Sequence, residues 1–486
     1  MDASTVTAAT DTPGGADAGQ PPLWAGCAPN RRATTGPDGP SGADASAVEA
    51  GPGVLPMGPM PSRHLLRGLP VAAALLLSVA AVGAAPVAAS PGHTVDYRGL
   101  RLDLPADWRV VDLDRHPDAC LRLDVPTLYL GHAGTQDRCT GRRAVATRAD
   151  TLHLEPLDGA PPRADVPTLP VAPEDPLPPA EADSNEVRYA LQGPAVMATL
   201  SYGATPDTVR ALLARATGTD PARRGRPPTS ATPAAPTPRK AQQAFAGEGF
   251  DTCTAPKQRT MDTWRAASPF GAVGVYIGGP ARACAQPQLT AGWVRRQAEA
   301  GWHLMPIWVG PQPWNHPTTG LSTDPSQAND QGRTAADGAA AAARALGLAP
   351  GTLLYNDLES YSDHATWDAP VVAYLTAWTV RLHELGYRSA AYVSSSSGVK
   401  ALSRHHHQAP YAMPEVLWVA QWNGAASVTD ADMGLPVGRA LWKGPRRAHQ
   451  FRGDHDATYG GVTLTIDRNW LEVDPTVLTT ALGKSR

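Results

Sequence analysis

The sequence predicts an α/β chain that ends in a (β/α)8, TIM-like barrel, preceded by a small α+β domain and by disordered or linker segments. The barrel follows from three observations. From residue 247 onward, short apolar runs alternate with helical stretches, the rhythm of a closed parallel sheet wrapped in helices. Acids recur at the ends of those runs, where such a barrel keeps its chemistry. One run closes on Tyr355-Asn356-Asp357-Leu358-Glu359, and carboxylates two apart on a strand project from one face.

Length and composition set the outer bounds. A chain of 486 residues has room for two or three domains. Its net charge of −3 gives no electrostatic footing for a nucleic acid. There are 13 Trp against 4 Phe, a bias that suits flat apolar platforms with one N–H donor, although most of these indoles belong in cores.

Taken in order, residues 1–59 are rich in Gly, Pro, Ala and Asp and cannot bury a core, so disorder is expected. Residues 60–89 read as a secretory signal peptide: Arg63 and Arg67 are basic, an apolar run follows from Leu69 to about Ala85, and Val87-Ala88-Ala89 offers a cleavage site. Such a leader normally begins the chain, which points to a start at Met57 or Met60. The alternative is a membrane anchor, for which the run is short and Ala-rich. Cys27 falls in the discarded part. The other cysteines form two local pairs, Cys120 with Cys139 and Cys253 with Cys284, and an exported chain favours disulfides over free thiols.

Residues 93–217 are expected to form one α+β module. Strand candidates are Tyr97–Pro105, Trp108–Leu113, Thr127–Gly131 and Glu186–Tyr202, with a short helix at Thr208–Ala216 and a Pro- and acid-rich excursion at 158–184. The module carries no recognisable catalytic constellation, and its position suggests attachment or spacing. Residues 218–241 read as a Pro/Ala/Thr-rich linker.

The barrel is expected over 243–483. Its strand candidates are Gly249–Asp251, Ala272–Ile277, His303–Val309, Thr352–Glu359, Ser389–Ser394, Glu415–Trp422, His449–Phe451 and Val462–Asp467. Helical stretches are Met261–Ala267, Thr290–Ala300, Thr334–Leu346 and Pro370–Leu385, and the crossovers after strands six and seven look too short for full helices. Closure would set Asp251 of strand one beside Asp467 of strand eight, with Asp357 and Glu359 across the mouth. Gln421, Trp422 and Gln450 join them from strands six and seven. A lone acid at a strand end often does no more than meet solvent, but four are harder to dismiss, because barrel interiors are normally filled by Val, Ile and Leu.

Other candidates carry less. His405-His406-His407 reads as a solvated loop rather than a metal site, and no His-Glu-x-x-His or zinc-type Cys spacing occurs, so neither metal nor cofactor is expected. The serine run Ser394–Ser397 lacks a nucleophile elbow and reads as a strand end at the mouth. Trp314-Asn315-His316 sits in an insertion at 310–332 that reads equally well as a substrate flap or as an ordinary loop.

These residues carry a resemblance. GFDTCTAP (249–256), VGVYIGG (273–279), MPIWVGPQ (305–312), LLYNDLESY (353–361), AAYVSS (390–395), LWVAQWNG (417–424) and GGVTLTIDRNWL (460–471) resemble the glycoside-hydrolase-like barrel domain of secreted actinobacterial proteins, named for similarity rather than for a known activity. More distantly, the first-strand Asp, the Asp-x-Glu, the Trp-x-Ala-x-Trp and the final-strand Asp are similar to family 25 glycoside hydrolases, the lysozyme-type muramidases. That resemblance implies Glu359 as general acid, Asp357 as its partner, and Asp251 and Asp467 lining a sugar subsite. Trp422, Gln421, Gln450, Tyr276, Tyr355 and Tyr392 complete the expected substrate contacts. The expectation is a secreted, cell-wall-associated monomer acting on peptidoglycan or a related glycan, with a non-catalytic glycan-binding or scaffolding barrel as the alternative.

Overall fold

The computed structural model describes residues 92–139, 144–158, 168–169, 177, 185–218 and 244–474. The extension at 1–59, the leader at 60–89, most of the excursion at 158–184 and all of the linker beyond Gly218 lie outside them. Ala89–Arg486 group into one compact unit.

The unit begins with β1 (His93–Tyr97) and β2 (Leu100–Leu104), a hairpin where the alternating pattern suggested one strand. The break comes at Arg98 and Gly99, both at positive φ (48° and 83°), the geometry of a tight hairpin turn. A mixed sheet follows from β3 (Arg109–Asp112), β4 (Thr127–Leu130), β5 (Thr151–Pro156), β6 (Thr168–Leu169), β7 (Glu186–Leu191) and β8 (Val196–Ser201), in the order β3-β4-β5-β8-β7-β6. Helix α1 (Asp207–Ala214) buries Val209, Leu212 and Leu213 against the strands, and β9 (Thr217–Gly218) pairs with β2.

The remaining strands close into a barrel: β10 (Phe245–Asp251), β11 (Ala272–Gly278), β12 (His303–Val309), β13 (Leu353–Leu358), β14 (Arg388–Ser394), β15 (Val416–Ala420), β16 (Arg446–Tyr459) and β17 (Val462–Val473). Between them lie α2 (Gln258–Ala267), α3 (Ala291–Glu299), α4 (Pro325–Ala345), α5 (His364–Glu384) and α6 (Gly398–His405). Three of these helices start on a side-chain cap: Thr290 for α3, Asp324 for α4 and Asp363 for α5 each accept from a backbone N–H of the first turn.

The strict (β/α)8 expectation needs correction. β10 to β16 run parallel, but β17 is antiparallel to both of its neighbours, β16 and β10. The cause is local. Tyr459 and Val462 are joined by Gly460-Gly461, at φ 57° and 77°, and a two-residue turn cannot make the crossover a parallel return needs. The described residues after β15 hold no helix: the crossover to β16 is long, 421–445, and still lacks one, and only the turn from β16 to β17 is as short as expected. Helix α4 begins nine residues before the apolar pattern suggested, so the insertion shrinks to 310–324. Helix α6 takes in His405, which the sequence placed in a loop.

Alternation sorts β13 between two cores. Leu354 and Leu358 face the helices, and Asn356 there meets the Tyr374 hydroxyl at 2.8 Å. Tyr355 points into the barrel, and period two turns Asp357 the same way.

Candidate active site

Asp357 sits in one inward row of the barrel. Its register neighbours are Val309 on β12 and Tyr392 on β14, and the row continues to Trp418 on β15. Glu359 follows one residue past the end of β13 and is half-buried, whereas Asp357 is 3 % exposed. Both are fixed through their backbone by Gln312, which is wholly buried: its Nε2 donates to the Asp357 carbonyl and its Oε1 accepts from the Glu359 N–H, each at 2.8 Å.

Across the ring, Asp251 of β10 is the register partner of Asp467 of β17. Parallel closure was expected to bring them together. They meet instead because β17 runs backward, so Asp467 lies inside its strand rather than at a carboxyl end. Gln450 of β16 joins them, its Nε2 donating at 3.2 Å to Asp251 Oδ1 and to Asp467 Oδ2. Asn469 Nδ2 gives a second bond to Asp251 (2.9 Å), the Tyr276 hydroxyl a third (3.0 Å), and the Asp454 N–H reaches Asp467 at 2.6 Å. Trp418 Nε1 in turn donates to Asn469 Oδ1 at 2.9 Å, which fixes the way that amide faces. Gly274, the β11 register partner of Asp251, leaves the room this requires, because a Cβ there would lie 2.6 Å from the Asp251 Cβ.

The two halves meet at Tyr392. Its hydroxyl donates to Gln450 Oε1 (3.1 Å), which also accepts from Trp422 Nε1 (3.0 Å). Burial pushes the Tyr392 phenol well above its ordinary range, and the negative charges of Glu359, Asp357, Asp467 and Asp251 push it further. One phenol thus feels all four acids, and Trp422, 36 % exposed, stands at the rim with its indole over Gly453.

Two of the expected contacts lie elsewhere. Tyr355 is wholly buried one layer below Asp357, with its ring edge-on to Trp418, so it belongs to the barrel core rather than to the mouth. The Gln421 side chain turns to the Ser395 hydroxyl, away from the carboxylate network. In the other direction, Gln312 and Asn469 hold the site and were not singled out from the sequence, although both stand in the motifs 305–312 and 460–471, while Trp418 entered only as the first Trp of the Trp-x-Ala-x-Trp motif. A polar residue inside a buried run was the available signal. Both expected disulfides are present, Cys120–Cys139 and Cys253–Cys284, and the second ties the segment after β10 to the one after β11. Among the described residues no cluster of metal-ligating side chains occurs, and no helix is long and apolar enough to cross a membrane.

Residues 262–471 match the family model of the Rv2525c-like, glycoside hydrolase-like domain, the family to which the sequence motifs pointed. No curated protein sequence matches the chain. Among solved structures it is similar to an uncharacterized protein of B. stearothermophilus (17 % identity, 46 % of this chain and 95 % of that chain, TM-score 0.31). It is also similar to the Tat-secreted protein Rv2525c of Mycobacterium tuberculosis (15 %, 47 % and 96 %, TM-score 0.33). A third is the spore cortex lytic enzyme SleM of Clostridium perfringens (16 %, 46 % and 67 %, TM-score 0.33).

Proposed function

We infer, from a chain that carries an Rv2525c-like, glycoside hydrolase-like domain, that this protein is a secreted glycosidase acting on peptidoglycan or a related cell-wall glycan. The observation that carries the reading is the gathering of the acids around Tyr392: Asp357 is its register neighbour, with Glu359 two residues on, and its hydroxyl bonds the same Gln450 amide that holds Asp251 and Asp467. A glycosidic bond breaks when one carboxyl protonates the leaving oxygen while another stabilises or captures the positive charge left on the sugar. Like charges crowded together cannot all ionise cheaply, so a cluster of acids supplies both protonation states at one pH.

Glu359, half-buried at the end of β13, takes the role of general acid. Asp357, anchored by the same Gln312, takes the role of partner. It orients the substrate's acetamido group, whose oxygen attacks the anomeric carbon, or it faces the developing charge directly. Asp251 and Asp467, almost completely buried and braced by Gln450 and Asn469, are the charged layer beneath the sugar, which they reach through Gln450 and Tyr392. Trp422 offers its indole at the rim. The similarity of the Asp-x-Glu and Trp-x-Ala-x-Trp motifs to lysozyme-type muramidases supports an N-acetylated wall sugar as substrate, and the paired cysteines support an exported protein.

Zymography on purified cell wall tests the reading. The wild-type chain is expected to clear the gel, whereas Glu359→Gln leaves no clearing but still sediments with insoluble wall. Clearing by Glu359→Gln at the wild-type rate removes the assignment of the acid. Sedimentation without clearing by the wild type makes the barrel a binder rather than a hydrolase.

A further inference from the structure

The N-terminal module stands on the face of the barrel that carries the carboxylates. It meets the segments that leave the carboxyl ends of three adjacent strands. After β10, Lys257 Nζ donates to the Ala133 carbonyl at 3.3 Å. After β11, the Val145 N–H donates to the Ala281 carbonyl (2.8 Å) and Arg148 Nη1 to the Gly279 carbonyl (2.9 Å). After β12, the Thr319 hydroxyl donates to the Ala146 carbonyl.

The last contact leads into the site. Thr319 is wholly buried, and Trp314 Nε1 donates to its hydroxyl at 3.1 Å. The Thr319 carbonyl accepts from the Gln312 N–H at 2.8 Å, and the Gln312 side chain holds the backbone of Asp357 and Glu359. The Trp314 ring is half-buried and packs, as Tyr392 does, on the inner cluster that contains Tyr276. Trp314 follows β12 while Trp422 leans on β16, which is halfway round a ring of eight strands. An indole pinned at its N–H and open on part of its surface is suited to the apolar face of a pyranose. Being pinned, it loses little side-chain freedom when a sugar lands on it.

We propose that the module is a wall of the substrate cleft, and that through Ala146 and Thr319 it holds Trp314 as a second sugar platform opposite Trp422. A glycan then spans the mouth from the β16 side to the β12 side and lies over the carboxylates between them. The inference rests on the glycan reading above and adds a specificity-determining residue and a role for the module.

Binding of a soluble, alternating GlcNAc–MurNAc tetrasaccharide to the full mature chain tests it, measured by titration calorimetry in a Glu359→Gln background so that the ligand is not consumed. Trp314→Ala is expected to weaken binding about tenfold, and Trp314→Phe, which keeps a ring, by less than about threefold. Thr319→Val, which removes the hydroxyl that joins Ala146 to the Trp314 indole, is expected to weaken it about threefold, with a lowered melting temperature because two buried groups lose their partner. Parental affinity in Trp314→Ala beside a loss in Trp422→Ala overturns the platform and leaves the glycan reading standing. Parental affinity in Thr319→Val overturns the module's part. A parent protein that binds neither the tetrasaccharide nor insoluble wall overturns this inference together with the reading it rests on.

Discussion

Gln450 decides how the floor of the site can exist. Asp251 and Asp467 are almost completely buried and are register partners, an arrangement that mutual repulsion and lost hydration both oppose. One amide answers both, since its two N–H bonds go to the two carboxylates while its oxygen takes the Tyr392 and Trp422 donors. Removing it takes one partner from each of four groups at once. Gln450→Met keeps the volume and is expected to cost about 2–3 kcal/mol in urea unfolding, with a shift in Trp422 emission as its N–H loses its acceptor. A loss below about 0.5 kcal/mol would mean that water replaces the amide without penalty. At this scale the sequence was informative about the acids, because a charge inside an apolar run stands out. It was silent about Gln312 and Asn469, whose part depends on which backbone or carboxylate the fold brings to them.

Helices α4 and α5 show what an apolar pattern leaves out. The face α4 turns inward is made of Ala328, Ala335, Ala336, Ala339, Ala340 and Ala343, with Gly332 among them. Small side chains let α5 approach closely, and a Cβ at Gly332 would press inside van der Waals contact of the Tyr374 carbonyl and 3.0 Å from the Ala377 Cβ. Helix propensity alone favours Gly332→Ala by about 1 kcal/mol. The packing reverses the sign: the variant is expected to unfold at lower denaturant by about 1–3 kcal/mol, because the two helices must part. A rise in stability would show that the interface yields. The Ala run was legible as a helix former, but the first turns of α4 were not, since Pro325 to Gly332 have no apolar stripe and rely on the Asp324 cap and this contact. The direction of β17 was hidden for a related reason. An apolar strand reads the same either way, and the Gly460-Gly461 turn was the one mark of its reversal.

At the scale of the whole molecule, the described module is bound to the barrel by charge as well as by backbone bridges. Glu186 of β7 lies buried among Arg148, Arg188 and Arg282, the last from the barrel segment after β11. Sequence alone could not foresee this, because Arg148 and Arg282 stand far from Glu186 along the chain and each reads as an ordinary surface charge. Burial alone would push the Glu186 carboxyl up, but the Arg282, Arg188 and Arg148 guanidiniums outweigh it and hold the carboxyl at about 2, below its ordinary 4.5. Burial, with Arg282 beside it, brings Arg148 down to about 9. A carboxyl lowered by folding adds stability that is complete above its unfolded value and is lost as pH falls from there through its folded one. The seam is therefore expected to hold from neutral pH down to about 4.5 and to weaken progressively toward about 2. Glu186→Gln leaves Arg148 and Arg282 buried without their counter-charge, which should cost about 3–5 kcal/mol at pH 7. It should also split one calorimetric transition into two, the module melting ahead of the barrel. A single transition at the wild-type temperature would show that the backbone bridges at Arg122–Cys284 and Ala144–Arg282 hold the two together without it.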